Sequence, residues 1–120
     1  MRRFKVTVTT AADGTATAYT PRLSGKISQI EYVKTDFADG VDFAITGEAT
    51  GIGLWTESNV NASAVRAPRQ PTHSQVGAAL LYATGGAAVA EEIALSSDRV
   101  KIVIAQGGNA KSGTFHIVVD

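Results

Sequence analysis

The stretch Phe4-Lys5-Val6-Thr7-Val8-Thr9 alternates apolar and polar side chains at every position. This period of two is typical of a strand with one buried and one solvated face, whereas a helix repeats its apolar residues every three or four positions. The alternation returns in residues 41–46, where Val41, Phe43 and Ile45 are predicted to point inward. It also returns in residues 26–34, where it predicts Ile27 and Ile30 on opposite faces. The dominant pattern therefore predicts a β-protein.

The C-terminal part of the chain is also strongly β-forming. Residues 99–105 and 114–119 are rich in β-branched side chains, and the glycine-rich segment 106–113 separates them. Two such runs joined by a loop predict an antiparallel hairpin with a long solvated tip. Along the whole chain we count about seven to nine short strands, with turn-forming residues roughly every 8–12 positions. The sequence predicts one domain over residues 1–120, an antiparallel, jelly-roll-like β-sandwich.

The middle of the chain departs from this pattern. Two prolines interrupt the segment Pro68-Arg69-Gln70-Pro71-Thr72-His73 and exclude regular strand pairing there. Residues 78–83, Ala-Ala-Leu-Leu-Tyr-Ala, favour a helix, which Gly85-Gly86 would end. We expect an irregular segment followed by one short helix near residues 77–84.

The composition allows one core but a thin one. The 120 residues are within the usual size of a single domain, and 44% of them are apolar. The aromatic residues are only four Phe, three Tyr and one Trp, and much of the apolar content is Ala, which buries little area. Such a domain gains stability by burying a further face against a partner.

The charge balance and the lack of cysteine exclude several function classes. Eleven basic and eleven acidic residues leave no net field that would attract nucleic acid or an anionic membrane. No cysteine is present for the disulfides of a small secreted domain, and no apolar run approaches the roughly 20 residues that span a bilayer. We expect a soluble protein without nucleic-acid or membrane partners.

No group of residues has the pattern of a catalytic or metal centre. The two histidines, His73 and His116, accompany no Gly-x-Ser-x-Gly motif, and without cysteine they cannot complete a tetrahedral zinc site. Asp36, Asp39 and Asp42 lack the order of a calcium loop and are interpreted as turn formers. The sequence predicts a protein that is not an enzyme and that binds no cofactor or metal ion.

Contacts with other proteins are the predicted alternative to chemistry. Arg is favoured over Lys for bidentate pairing with carboxylates, so Arg66, Arg69 and the pair Arg2-Arg3 are expected either to be solvated or to pair with carboxylates of a neighbouring subunit. The proline-rich segment and the glycine-rich loop are the other expected contact regions. The predicted interface residues are Arg66, Pro68, Arg69, Pro71, His73, Asn109 and Lys111.

Four segments of the chain carry a family resemblance. They are Phe37-Ala38-Asp39-Gly40-Val41-Asp42-Phe43-Ala44-Ile45-Thr46, residues 54–63 (Leu-Trp-Thr-Glu-Ser-Asn-Val-Asn-Ala-Ser), residues 68–73, and residues 98–115. Together they resemble a family of small proteins encoded among the virion genes of tailed bacteriophages and prophages. The resemblance covers nearly the whole chain.

The resemblance implies a capsid decoration (cement) protein. Such a protein would bind and stabilise the lattice of the major capsid protein, as a homodimer or homotrimer on the capsid surface of the virion. It would be synthesised in the cytoplasm of the bacterial host. The alternatives are another virion component, such as a head–tail connector or a tail-associated protein, and a carbohydrate-binding module with Trp55 or Tyr82 as a stacking platform.

Overall fold

The computed structural model describes all 120 residues and contains ten β-strands and no helix. The all-β prediction is confirmed. Two of the ten strands, β6 and β7, have only three residues each. The strands are β1 (Arg2–Thr9), β2 (Ala16–Tyr19), β3 (Leu23–Lys34), β4 (Val41–Gly47), β5 (Gly53–Val60), β6 (Ala64–Arg66), β7 (Arg69–Pro71), β8 (Ala90–Asp98), β9 (Val100–Ala105) and β10 (Ser112–Val119).

The longer strands form two antiparallel sheets that pack face to face. The first sheet has the order β1-β10-β3-β8, and the second has the order β2-β9-β4-β5. The pairs are nested along the chain: β1 with β10, β2 with β9, β3 with β8, and β4 with β5. A long ribbon rolled up with this nesting is a jelly roll, so the predicted jelly-roll-like sandwich is confirmed. The short strands β6 and β7 extend the first sheet beside β3 and β8, so the prediction that the prolines exclude strand pairing in residues 68–73 is wrong for Arg69–Pro71, which form the outermost strand.

The core lies between the two sheets and contains 20 buried residues. Three residues of β4 that are predicted to point inward, Val41, Phe43 and Ile45, are at most 2% exposed. The few aromatic side chains concentrate at the centre, where the ring centroid of Phe43 lies 4.7 Å from Tyr32, 5.0 Å from Phe115 and 5.4 Å from Trp55. Such pairs add about 0.5–1.5 kcal/mol each beyond the buried area, which partly offsets the alanine-rich composition.

Strand β3 contains a β-bulge that the sequence pattern does not reveal. Its pairing with β10 skips Ser28, which is therefore an extra residue in β3. A bulge shifts the alternation of side chains by one position. As a result Ile27 and Ile30 are both fully buried, and the prediction that they lie on opposite faces is wrong.

The two C-terminal strands do not form the predicted hairpin. Strand β9 lies in the second sheet beside β2 and β4, whereas β10 lies in the first sheet between β1 and β3. The connection 106–111 therefore crosses from one sheet to the other. It packs against neighbouring loops through Gly107. The N–H of Gly107 donates to the carbonyl of Gly14, and the carbonyl of Gly107 accepts from the N–H of Ala38, both at 2.9 Å. The expected solvated tip is a packed crossover.

Residues 77–84 form no helix, so that prediction is also wrong. Leu81 instead forms an isolated antiparallel bridge with Ala88, and Gly77 and Gly85 have positive φ angles of 80° and 71°. A helix of one or two turns is marginal in water unless it buries an apolar face. These residues lie away from the core and are exposed, so turns and bridges satisfy their backbone instead.

Candidate protein-interaction surfaces

Residues 72–89 leave the first sheet beyond β7 and β8 and form a projection, which we call the arm. Its own backbone hydrogen bonds hold it together: Thr72 donates to Val89 (2.9 Å), Val89 to Leu80 (2.8 Å) and Leu80 to Thr72 (3.0 Å). The Cα radius of gyration of the chain is 15.6 Å and its longest dimension is 49 Å. A compact chain of this length has a radius of gyration of about 13–14 Å. The chain is therefore more elongated than a compact domain of its length.

The arm exposes apolar side chains and carries no charged residue. Val76 is 90% exposed and Tyr82 is 76% exposed, while Leu80 and Leu81 are each nearly half exposed. The sequence from residue 70 to residue 90 contains no Asp, Glu, Lys or Arg. Contiguous exposed apolar surface commonly marks a contact with another protein. The arm is therefore the first candidate interaction surface.

Four of the predicted interface residues lie at or near the base of the arm. Arg69 and Pro71 begin and end β7, and His73 follows within the arm. Pro68 is buried in the isolated chain, so it supports the base from inside. The guanidinium of Arg69 donates to the carbonyl oxygens of Ser28 (3.1 Å) and Pro68 (2.8 Å). Arg69 thus anchors the arm to β3.

Arg66 is paired within the chain, in a cluster that we call the clip. Its Nε and Nη2 donate to the two carboxylate oxygens of Glu57, each at 2.9 Å, and its guanidinium lies 5.4 Å from the ring centroid of Trp55. The indole N–H of Trp55 donates to the same carboxylate at 3.0 Å. Glu57 is on β5 in the second sheet and Arg66 is on β6 in the first, so the clip joins the two sheets at one side of the sandwich.

The clip has consequences for both charge and access. The hydrogen bonds from Arg66, and secondly from Trp55, hold the pKa of the Glu57 carboxyl below its usual value. Pairing of Arg66 with a neighbouring subunit stays a prediction. Trp55 is buried beside Arg66 and offers no open face for stacking on a sugar.

The remaining predicted interface residues lie elsewhere on the molecule. Asn109 and Lys111 are in the crossover before β10, and both are exposed. Their distance from the base of the arm can be measured along β3. The start of β10, which follows the crossover, pairs with Lys34 of β3, whereas Arg69 contacts Ser28 of the same strand. The strand from Ser28 to Lys34 is about 20 Å long at the usual rise per residue. The seven predicted residues therefore fall into two separate regions.

A second apolar surface lies on the edge strands β1 and β2, which we call the flank. Each of these strands is outermost in its sheet, and the two strands contact each other, so they lie on the same side of the sandwich. Phe4, Val6, Ala16 and Ala18 pack against the core from these strands but remain partly exposed. The sandwich is closed by the clip on one side and incompletely covered on the flank side.

The one cavity is an open groove beside the clip, along residues 57–66. Its polar side chains already hold loops in place: Asn61 accepts from the N–H of Gly40 (2.6 Å), and Ser63 accepts from the N–H of Lys34 (2.9 Å). No group of three or more His, Cys, Asp or Glu side chains lies close enough to hold a metal ion. The chain likewise has no helix with the length and hydropathy of a membrane span.

The arm has a signature in the sequence, whereas the flank has none. The uncharged run from residue 70 to residue 90 stands out in a chain with eleven basic and eleven acidic residues. This run could have identified the arm as a contact surface where local pattern suggested a helix. The flank depends on which strands are outermost, and strand order cannot be read from residue alternation.

The fold and these surfaces define a jelly-roll domain with one projecting apolar arm. The chain matches no protein-family model, no curated protein and no solved structure.

Proposed function

We propose that this chain is a bacteriophage virion protein that decorates the capsid and stabilises the lattice of the major capsid protein. The observation that carries the proposal is the arm, which presents apolar side chains without any charged residue. Covering apolar surface is favourable by about 25 cal/mol per Å². Covering the arm with another protein surface, as happens in an assembled particle, therefore lowers the free energy.

The jelly-roll sandwich supports the same proposal. Viral capsid domains use this fold, as do lectins. A lectin needs an open ring with polar groups around it, but Trp55 is covered by the clip. Tyr82 is open, yet its chain neighbours Leu81 and Ala83 are apolar and offer no side-chain hydrogen bonds to sugar hydroxyls. The surface favours protein contacts over sugar contacts.

The sequence resemblance supports the location on a phage particle. The segments that resemble tailed-phage virion proteins include the core strands β4 and β9 and the crossover before β10. The resemblance is equally compatible with a head–tail connector or a tail-associated protein. The position of the chain on the particle is therefore the point to test.

Cryo-EM of the assembled virion tests the position directly. We expect density that fits the sandwich and its arm on the outer surface of the head, in contact with the major capsid protein. Density confined to the neck or tail would instead assign the chain to a connector or a tail-associated protein. A complete map without such density would contradict a virion role.

The stabilising role is tested by heating heads assembled with and without this chain. Heads that lack it are expected to lose integrity several degrees below complete heads, because a bound partner stabilises the assembled state by mass action. Adding the purified chain should restore the higher temperature. Equal transition temperatures for the two kinds of head would contradict stabilisation.

A further inference from the structure

We propose that the arm of one copy docks on the β1–β2 flank of a second copy of this chain. Both surfaces leave apolar side chains at least partly exposed: Leu80 and Tyr82 on the arm, and Phe4 and Val6 on the flank. One contact would cover both and complete the core on the side that the clip leaves open. The inference rests on the proposed assembly function and names the chain that covers the arm.

The arm serves a different copy, because its own flank lies at the opposite edge of the molecule. In the first sheet β1 and β7 are the two outermost strands, with β10, β3 and β8 between them. Strands are about 4.8 Å apart, so roughly 19 Å of sheet separates β7 from β1. A contact between opposite edges joins separate molecules, and it closes a pair or ring when the rotation between copies permits.

Unpaired charges next to the two surfaces are complementary. Glu91 and Glu92 lie on β8 at the base of the arm, and the only side-chain partner of either is the amide of Gln70, 3.4 Å from Glu91. Arg3 and Lys5 are exposed on β1, and the three salt bridges of the structure involve none of these four charges. Opposite charges beside matching apolar surfaces orient a contact and speed its formation. The flank is basic, whereas the base of the arm carries the carboxylates of Glu91 and Glu92 and one guanidinium, that of Arg69, which is bound to backbone carbonyls.

The free edge of β1 adds selectivity. This strand pairs with β10 on one side only, so backbone groups on its other side have no strand partner. Basic side chains on an edge strand hinder pairing with an arbitrary strand. Glu91 and Glu92 of a second copy would neutralise them, which favours this chain over other partners.

Charge reversal followed by mixing tests the contact. We would measure the association of the purified chain at low salt by sedimentation velocity, with three double variants. The flank variant is Arg3→Glu with Lys5→Glu, and the arm variant is Glu91→Lys with Glu92→Lys. A control, Thr56→Glu with Ser58→Glu, adds two negative charges at exposed positions of β5, off both surfaces.

The wild type is expected to associate, and the flank and arm variants should each weaken association by at least about tenfold. An equimolar mixture of the flank and arm variants should associate like the wild type, because each arm base then meets a flank of opposite charge. The control should associate like the wild type. Hydrogen exchange of the associated wild type should show new protection in both residues 2–8 and residues 79–82.

Several results would overturn the inference. They are a wild type that stays monomeric, a flank variant no weaker than the control, failure of the mixture to restore association, or protection of the arm without protection of the flank. These results are separate from the test of the proposed function. Head density in the virion with a monomeric chain in solution would reject the self-contact alone, whereas a restored mixture without any virion density would reject decoration alone.

Discussion

Glu57 joins two sheets through a single carboxylate. One oxygen accepts from the indole of Trp55 and from Nε of Arg66, and the other accepts from Nη2 of Arg66. Hydrogen bonds from a guanidinium to a carboxylate are stronger than those between neutral groups. All three favour the ionised form of Glu57, which is why its pKa is lowered.

The clip therefore predicts a specific acid sensitivity. A carboxyl whose pKa is lowered by folding stabilises the native state fully at pH values above its ordinary pKa, which is 4.5 for Glu57. This stabilisation is lost as the pH falls through the lowered pKa. We would measure the free energy of unfolding in urea for the wild type and for Glu57→Gln. The difference between the two should be constant between about pH 6 and 7 and should shrink below about pH 4.

Removal of the main hydrogen-bond donor supplies the control for this measurement. In an Arg66→Gln background, Glu57→Gln should produce a smaller difference with much weaker pH dependence, because the first cause of the shift is gone. A wild-type difference that is unchanged down to about pH 3 would show that the clip does not stabilise the ionised carboxylate.

Individual strands were predictable because alternation reports burial directly. In β4 every second residue is apolar, and Val41, Phe43 and Ile45 are buried as predicted. The same rule failed in β3, because a bulge at Ser28 restores the burial of Ile27 without leaving a mark in the polarity pattern. Alternation thus identifies a strand more reliably than it assigns faces across a bulge.

The connections were harder to predict than the strands. A glycine-rich loop between two strands is compatible with a hairpin and with a crossover between sheets, and only the partners of each strand distinguish them. For residues 106–111 the decisive contacts are with Gly14 and Ala38, which are distant in sequence. The pairing of Arg66 with Glu57 also depends on the fold, because these residues lie on strands of different sheets that the sequence pattern does not bring together.

Thr10 tests whether the crossover is a structural element of the sandwich. This residue is 4% exposed, and its hydroxyl donates to the carbonyl of Gly108 (2.6 Å) and accepts from the N–H of Lys111 (2.9 Å). Thr10→Val keeps the shape but leaves these backbone groups without that partner. It is expected to lower the free energy of unfolding by about 1–3 kcal/mol, measured in urea.

The neighbouring threonine provides a matched control. Thr9 is exposed, and its hydroxyl contacts only the hydroxyl of Ser112 at 3.1 Å. Thr9→Val should change the free energy of unfolding by no more than about 0.5 kcal/mol. Equal costs for the two valine variants would mean that β-propensity, and not the hydrogen bonds of the crossover, explains the effect of Thr10→Val.

At the scale of the whole molecule, the chain divides into a sandwich that contains the core and an arm that contributes no residue to it. All 20 residues of the core cluster belong to the sandwich and its loops, and none lies in residues 72–89. Because the first strand pairs with the last, the sandwich is closed without any contribution from the arm. The stability of the folded monomer is therefore expected to depend on the sandwich and not on the arm.

Two glycine pairs allow this division to be tested with the same change in both parts. A short Gly-Ser insertion between Gly85 and Gly86 enters an exposed turn of the arm, whereas the same insertion between Gly107 and Gly108 enters the packed crossover. Tolerance of insertions depends on burial and backbone hydrogen bonding, not on glycine content.

The arm insertion should leave the free energy of unfolding of the monomer within about 0.5 kcal/mol of the wild type. The crossover insertion should lower it by about 2–3 kcal/mol, because the backbone bonds to Gly14 and Ala38 are lost. Equal loss from both insertions, measured in urea at concentrations too low for association, would contradict the separation of arm and sandwich.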